Sequence, residues 1–176
     1  MRTMIMPLIL ALLLPCCLIV HQARAAADAT QPGKPRLQWS LVAGADEKGD
    51  VIEVDDPAAP GGKLRVLKDA FLDETGIAAA EVTKVEGKPA ISLKMTKDGA
   101  DRVSRVTAAN LNRRVAVLFD GRVIFAPVIR SRISDAAMIT GGADGLSDKD
   151  AKAIVDAVRA ARDEGGKQKQ VAPSSK

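Results

Sequence analysis

Apolar and polar positions alternate along the half of the chain that follows residue 76, and the pattern predicts a β-sheet. Ile91 to Met95 alternate strictly between apolar and polar side chains, which is typical of a strand with one buried face. Residues 115–119 and 122–126 are largely apolar on both faces and flank Asp120-Gly121, a pair that favours the positive φ angles of a two-residue type I′ turn. We therefore predict a hairpin at the centre of the sheet, with helices covering one face.

Two segments place apolar residues at helical spacing, and each follows a capping residue. Thr96 is the predicted N-cap of the first helix, which is expected to end within residues 110–114. The expected buried positions of this helix are Ala100, Val103, Val106 and Leu111. Ser147 and Asp150 form a predicted capping box before the second helix, whose end is predicted at residues 163–166. Its expected apolar stripe is Ala151, Ile154, Val155 and Val158.

Further strands are predicted where short apolar runs lie between turn residues. They cover residues 37–42, 50–54, 64–67, 79–86 and 136–140. Residues 69–76 predict a turn or short helix, and residues 87–89 predict a turn. From residue 77 the predicted order is strand, strand, helix, three strands, helix. This order predicts an α+β fold, a mostly antiparallel sheet with two helices packed on one face.

The amino terminus has the features of a secretory signal peptide. Arg2 precedes 17 apolar residues, 4–20, and a small-residue stretch then fits cleavage after Ala25 or Ala27. The alternative is a membrane anchor formed by the uncleaved segment. A lipid anchor is not expected, because the residue before Cys16 is a proline and not a small residue.

This leader sets the predicted location and organisation of the chain. We expect a periplasmic or secreted protein with no transmembrane helix after the signal. The predicted parts are a signal peptide (1–25), a linker (26–36), a β-rich N-terminal extension (37–76), a compact unit (77–162) and a disordered tail (163–176).

Composition excludes several kinds of chemistry once the leader is removed. Both cysteines and the only histidine lie before residue 25, and the chain has no tyrosine. Disulfides, cysteine nucleophiles, histidine bases and Ser-His-Asp triads are therefore excluded from the mature chain. Removal of Arg2 and Arg24 lowers the net charge from +4 to +2, and the chain has one tryptophan and three phenylalanines. Such a chain is not expected to bind nucleic acid.

Acidic and glycine-rich segments have structural explanations. Asp120 is expected in its turn because aspartate tolerates positive φ. The spacing of Asp144, Asp148 and Asp150 does not fit a calcium-binding loop. Residues 141–145 lack the Gly-Lys-Ser/Thr ending of a phosphate-binding loop. We therefore predict no catalytic residue, no metal site and no cofactor.

Arginine is concentrated in the second half of the chain. The seven arginines between residues 102 and 132 are Arg102, Arg105, Arg113, Arg114, Arg122, Arg130 and Arg132. Guanidinium groups suit carboxylates and phosphates, and we choose Arg122, Arg130 and Arg132 as possible partner contacts. The alternative is a solvated surface on which Asp98, Asp101 and Asp135 screen these charges.

Several short motifs follow one another in a recognisable order between residues 77 and 160. The motif residues are Thr96, Gly99, Ala100, Thr107, Asn110, Asp120, Gly121, Ala126, Pro127, Ile139, Gly141 and Ala151. This order resembles the head of the first periplasmic domain of SecD and SecDF, membrane proteins that assist protein export.

The resemblance implies a two-layer sandwich whose exposed surface contacts polypeptide near the export channel. On this basis we expect a non-enzymatic exported binding module that contacts polypeptide or an envelope protein partner. A structural or inhibitor-like envelope protein, or a hydrolase without histidine, are the alternatives. SecD also has transmembrane helices and a base portion that this chain does not resemble, so a role as export motor is not implied.

Overall fold

The computed structural model describes residues 36–142 and 145–170 of the chain, with side chains up to Gly165. The predicted signal peptide, nearly all of the linker and the last residues of the predicted tail lie outside this part. The strands are β1 Leu37–Leu41, β2 Val51–Asp55, β3 Lys63–Leu67, β4 Leu72–Asp73, β5 Ile77–Val85, β6 Lys88–Met95, β7 Val115–Phe119, β8 Arg122–Phe125 and β9 Ala136–Ile139. The helices are α1 Lys97–Ala109 and α2 Asp148–Gln170, and a 3₁₀ turn covers Glu74–Gly76.

The strands form three antiparallel sheets. One sheet has the order β4-β1-β7-β8, the second has the order β5-β6-β9, and the third is the β2–β3 hairpin. Helix α2 packs on β5 and β6, and α1 packs against the 3₁₀ turn, β4 and β6. The predicted α+β class and the predicted order of elements after residue 77 are confirmed.

Strand β7 is apolar on both faces because it separates two hydrophobic cores. Val117 and Phe119 face the main core, which β5, β6 and both helices complete. Ala116 and Leu118 face a second core that is covered by Val66 and its neighbours on β3. The central position predicted for the hairpin is therefore right for β7 but wrong for β8, which lies at the edge of its sheet.

Two-residue turns close both main hairpins. Asp120 and Gly121 have φ angles of 49° and 77°, and Glu86 and Gly87 have φ angles of 50° and 78°. Positive φ at both positions is the requirement of a type I′ turn, so the first turn is as predicted. The second turn was misplaced by one residue, because strand β6 already begins at Lys88.

The helix caps are confirmed, but the helix faces and ends differ in part from the prediction. Thr96 Oγ1 accepts a hydrogen bond from Gly99 N at 3.1 Å, and Ser147 Oγ accepts one from Asp150 N at 3.0 Å. The predicted apolar stripe of α2 is buried. Leu111 was wrongly placed on the buried face of α1: its side chain is 50% exposed and lies beyond the end of the helix. The end of α2 predicted at residues 163–166 was also wrong, since the helix continues to Gln170.

Candidate functional site

Four of the seven arginines in the 102–132 segment form side-chain hydrogen bonds or ion pairs with other parts of the chain. Arg113 lies where α1 ends, and one of its guanidinium nitrogens donates to Asn110 Oδ1 at 3.0 Å. The other nitrogen donates to Glu47 Oε2 at 2.6 Å and to the carbonyl of Val42 at 3.2 Å. Arg113 therefore ties the end of α1 to the segment between β1 and β2, and its charge is compensated inside the fold.

Arg114 and Arg122 are also paired with carboxylates from distant parts of the chain. Arg114 contacts Asp56 at 3.3 Å and the carbonyl of Ala126 at 3.2 Å. Hydrogen bonding from Ala58 N, with a smaller contribution from Arg114, lowers the pKa of Asp56. Arg122 contacts Asp150 at 3.2 Å, and its side chain remains two-thirds exposed. Arg122 is thus accessible, but the carboxylate of Asp150 lies beside its guanidinium group.

Three of the four remaining arginines are the most available cations of this segment. Within residues 36–142 and 145–170, Arg102, Arg105 and Arg130 are exposed and form no ion pair or side-chain hydrogen bond. Asp98, Asp101 and Asp135, the carboxylates expected to screen these charges, form no ion pair with an arginine in the same part of the chain. The carboxylates that pair with arginines of this segment come instead from Glu47, Asp56 and Asp150.

Residues 127–135 form an irregular segment, which we call the strap, that lies along the C-terminal half of α1. Ile129 N donates to the carbonyl of Arg113 at 2.8 Å, and Ile133 N donates to Thr107 Oγ1 at 3.0 Å. Arg132 Nε donates to Ser104 Oγ at 2.5 Å. These contacts explain why α1 buries the polar Ser104 and Thr107, and they leave the side chains of Arg130 and Arg132 at the surface.

Most residues of the motif series have structural roles. Thr96 caps α1, Asn110 Nδ2 donates to the carbonyl of Val106 at 2.8 Å, and Ile139 is buried in the main core. A Cβ atom on Gly141 would lie 2.4 Å from the backbone of Gly145, so glycine is required there. Asp120 does more than form a turn. Its carboxylate accepts two hydrogen bonds of 2.8 Å from Arg36, whose guanidinium lies 4.8 Å from the centre of the Phe119 ring.

The Arg36 pair makes part of the stability depend on pH. Hydrogen bonding from Arg36 lowers the pKa of Asp120 below its ordinary value. A carboxyl group with a lowered pKa stabilises the fold above its unfolded pKa, about 4, and this contribution is lost as the pH falls through the folded pKa.

Asp120→Asn keeps a residue that tolerates positive φ but removes the charge. We expect the variant to lose about 0.5–1 kcal/mol at pH 7, a value for a partly exposed pair. The difference from wild type should shrink towards zero near pH 3. Urea unfolding of both proteins between pH 7 and pH 3 measures it, and a difference that is independent of pH would contradict the assignment.

A shallow groove lies between β2 and the tip of the β7–β8 hairpin. Its volume is about 380 Å³, and its walls include residues 53–55 of β2, Pro57 and residues 121–123 of the hairpin. In the described part of the chain, no three acidic, cysteine or histidine side chains are grouped to hold a metal ion. Neither α1 nor α2 has the length and apolarity needed to cross a membrane.

Comparison with known protein families gives one match that covers most of the described chain. Residues 50–161 match the family described as SecDF, P1 head subdomain. The SecD subunit of the protein translocase of Aquifex aeolicus is 35% identical over 110 residues, which are 62% of this chain and 17% of that protein. The SecD subunit of Anaeromyxobacter dehalogenans is 39% identical over 80 residues, 46% of this chain and 13% of that protein. The chain thus spans less than a fifth of these relatives.

Solved structures show the same fold. The crystal structure of SecDF in a super-membrane-facing form has a TM-score of 0.54 and 24% identity over 71% of this chain and 19% of that chain. A second structure, of a SecDF membrane component that enhances protein export, has a TM-score of 0.53 over 71% of this chain and 63% of that chain. At 24% identity these two similarities establish the fold alone.

Proposed function

Because this chain belongs to the family of SecDF P1 head subdomains, we propose that it is a non-enzymatic module outside the cytoplasmic membrane that contacts polypeptide or an envelope protein partner. The observation that carries the proposal is the family match, which runs from β2 into α2 over residues 50–161 and includes most of the residues of both hydrophobic cores. The relatives are named as subunits of the protein translocase. This chain shares the fold of these relatives, and polypeptide binding by this chain is part of the proposal.

Three exposed arginines supply candidate contacts for such a partner. Arg130 and Arg132 lie on the strap, and Arg122 begins β8. Arg132 is hydrogen bonded to a neutral serine hydroxyl, so this bond leaves its charge uncompensated. Guanidinium groups with this exposure attract carboxylates at low salt, and the attraction weakens as salt is added.

The test is binding of the chain from Ala26 onward to a labelled polypeptide in unfolded and folded form. We expect saturable binding, measured by fluorescence anisotropy, that prefers the unfolded form. Replacing Arg122, Arg130 and Arg132 together by glutamine should weaken binding about tenfold at low salt and reduce its salt dependence.

The matched control is Arg159→Gln, which removes an arginine from α2 that is 71% exposed. This variant should bind like wild type if the three chosen arginines matter by position and not by total charge. Absence of binding to either form of the polypeptide would overturn the proposed function. Equal losses in the triple variant and the control would instead remove only the arginine assignment.

A further inference from the structure

Strand β2 has a free edge, and its register with β3 determines which of its peptide groups point outwards. It pairs with β3, its one strand neighbour in the described part of the chain. Lys68 N donates to the carbonyl of Asp50 at 2.9 Å, and Asp56 N donates to the carbonyl of Gly62 at 3.0 Å. Both bonds follow the register of the pair, so the even-numbered residues of β2 are hydrogen bonded to β3.

The odd-numbered residues of β2 therefore direct their peptide groups away from β3, because the two directions alternate along an antiparallel strand. These residues are Val51, Glu53 and Asp55. In residues 36–142 and 145–170 their N–H and C=O groups have no hydrogen-bond partner. Three such residues at alternate positions present a template for one more extended strand.

The groove beside this edge is an opening in the second hydrophobic core. Ile52 and Val54 lie on the inner face of β2, beside their cross-strand neighbours Val66 and Leu64 of β3, which belong to this core. Ile52 nevertheless remains 38% exposed. Val54 and Val123 line the groove from opposite sides. A strand added to β2 would place alternate side chains in this groove, where apolar side chains would cover exposed apolar surface.

The outer face of β2 carries a carboxylate that favours a basic residue in an added strand. Glu53 is exposed and forms no ion pair with another described residue, whereas Asp55 is paired with Lys63. In an added strand, the residue directly opposite Glu53 lies on the same face as Glu53. A lysine or arginine at that position is favoured, and its two neighbours point inwards to the groove.

We infer that the free edge of β2 binds an extended polypeptide segment in which apolar and basic residues alternate, as a third strand beside β2 and β3. The inference deepens the proposed function, on which it rests, by naming a second contact surface and the sequence pattern that it selects. Its charge preference is opposite to that of the exposed arginines, which favour acidic segments. Arg122 also borders the groove, so the two contacts are separated by experiment at Glu53 on one side and at Arg130 and Arg132 on the other.

The two edges of the β5-β6-β9 sheet compete for an extended segment but lack this combination. The two-residue turn at Glu86-Gly87 makes Val85 and Lys88 a hydrogen-bonded pair. Val82 and Lys84 therefore direct their peptide groups away from β6. The positive charge of Lys84 would disfavour a basic segment. The groove of about 380 Å³ borders β2 and not β5 or β9. Peptide charge and site of substitution thus distinguish the edges.

The test uses the full chain and two labelled nine-residue peptides, one alternating valine with lysine and one alternating valine with glutamate. We expect the lysine peptide to bind the wild-type chain several times more tightly in fluorescence anisotropy. Glu53→Gln should weaken its binding about twofold to fivefold, because one ion pair is lost. Glu53→Pro also removes an outward N–H and should weaken binding about fivefold more.

Proline is tolerated at an edge position whose N–H points away from the neighbouring strand, so Glu53→Pro should fold. Val82→Pro is the matched control, since it removes an outward N–H from β5 and should leave binding unchanged. Unfolding curves followed by fluorescence of the buried Trp39 verify that each variant is folded. Glu53→Gln leaves the backbone untouched and tests the charge preference even if Glu53→Pro is unstable.

The other outcomes are distinct. Tighter binding of the glutamate peptide would overturn the inference and assign polypeptide contact to the arginines, leaving the proposed function in place. Binding that is unchanged in both Glu53 variants, or that is lost in Val82→Pro alone, would also overturn it. Absence of binding to both peptides overturns the inference, and absence of binding to any unfolded polypeptide overturns the proposed function as well.

Discussion

Gly99→Ala is expected to destabilise the protein by about 3 kcal/mol or more, the upper end of the range for overpacking. A Cβ atom on Gly99 would lie 2.1 Å from the carbonyl oxygen of Gly76 and 2.9 Å from its carbonyl carbon. Both are backbone atoms, so no side chain can rotate away. The same carbonyl accepts hydrogen bonds from Thr96 N at 3.0 Å and Thr96 Oγ1 at 3.2 Å. Moving it to make room would weaken the cap of α1.

The matched control is Gly165→Ala, the same change in the other helix. A Cβ atom on Gly165 would meet nothing within 4 Å. Alanine should therefore stabilise α2 by up to about 1 kcal/mol, because glycine is a poor helix former. Denaturant unfolding followed by Trp39 fluorescence measures both changes, since Trp39 is buried edge-on against Phe71. Equal effects of the two substitutions would show that Gly76 and Gly99 do not need their close approach.

Features of the fold that depend on neighbouring residues were predictable from the sequence. The Asp120-Gly121 turn, the Thr96 cap and the apolar stripe of α2 each arise within a few residues, and each is confirmed. The misplaced end of α2 has a local explanation too. Gly165 does not adopt the positive φ of a helix-ending glycine, and a helix tolerates such a glycine at a cost of about 1 kcal/mol.

Features that depend on distant segments were not predictable. Arg36 pairs with Asp120 across 84 residues, and Arg113 pairs with Glu47 across 66 residues. Neither partner has a local signal that identifies the other. The second core is a further example, because the pattern of β7 shows that both faces are buried but not that β3 covers one of them.

The same distinction applies to the candidate contact surfaces. The arginines could be listed from the sequence, but which of them are compensated depends on carboxylates in remote loops. The free edge of β2 was not predicted, because the sequence does not show which strands lack a neighbour. The alternation of hydrogen bonds from Asp50 to Asp56 becomes visible once the register with β3 is known.

Thr107→Val is expected to destabilise the protein by about 1–3 kcal/mol, the cost of leaving a buried polar group without its partner. Thr107 is completely buried. Its Oγ1 donates to the carbonyl of Val103 at 2.8 Å and accepts from Ile133 N at 3.0 Å. Valine has nearly the same shape but no oxygen, so the strap loses the acceptor for the N–H of Ile133.

Thr107→Ser is the matched variant, because it keeps the oxygen and removes one methyl group. We expect it to cost about 1 kcal/mol, less than Thr107→Val. Hydrogen exchange at the amide of Ile133 adds a local readout, since protection should fall in the valine variant and persist in the serine variant. Arg130 and Arg132 lie on the same strap, so loosening it adds an ordering cost to any contact that they make. A valine variant that is as stable as the serine variant, with Ile133 still protected, would show that the backbone contacts of Ile129 hold the strap without Thr107.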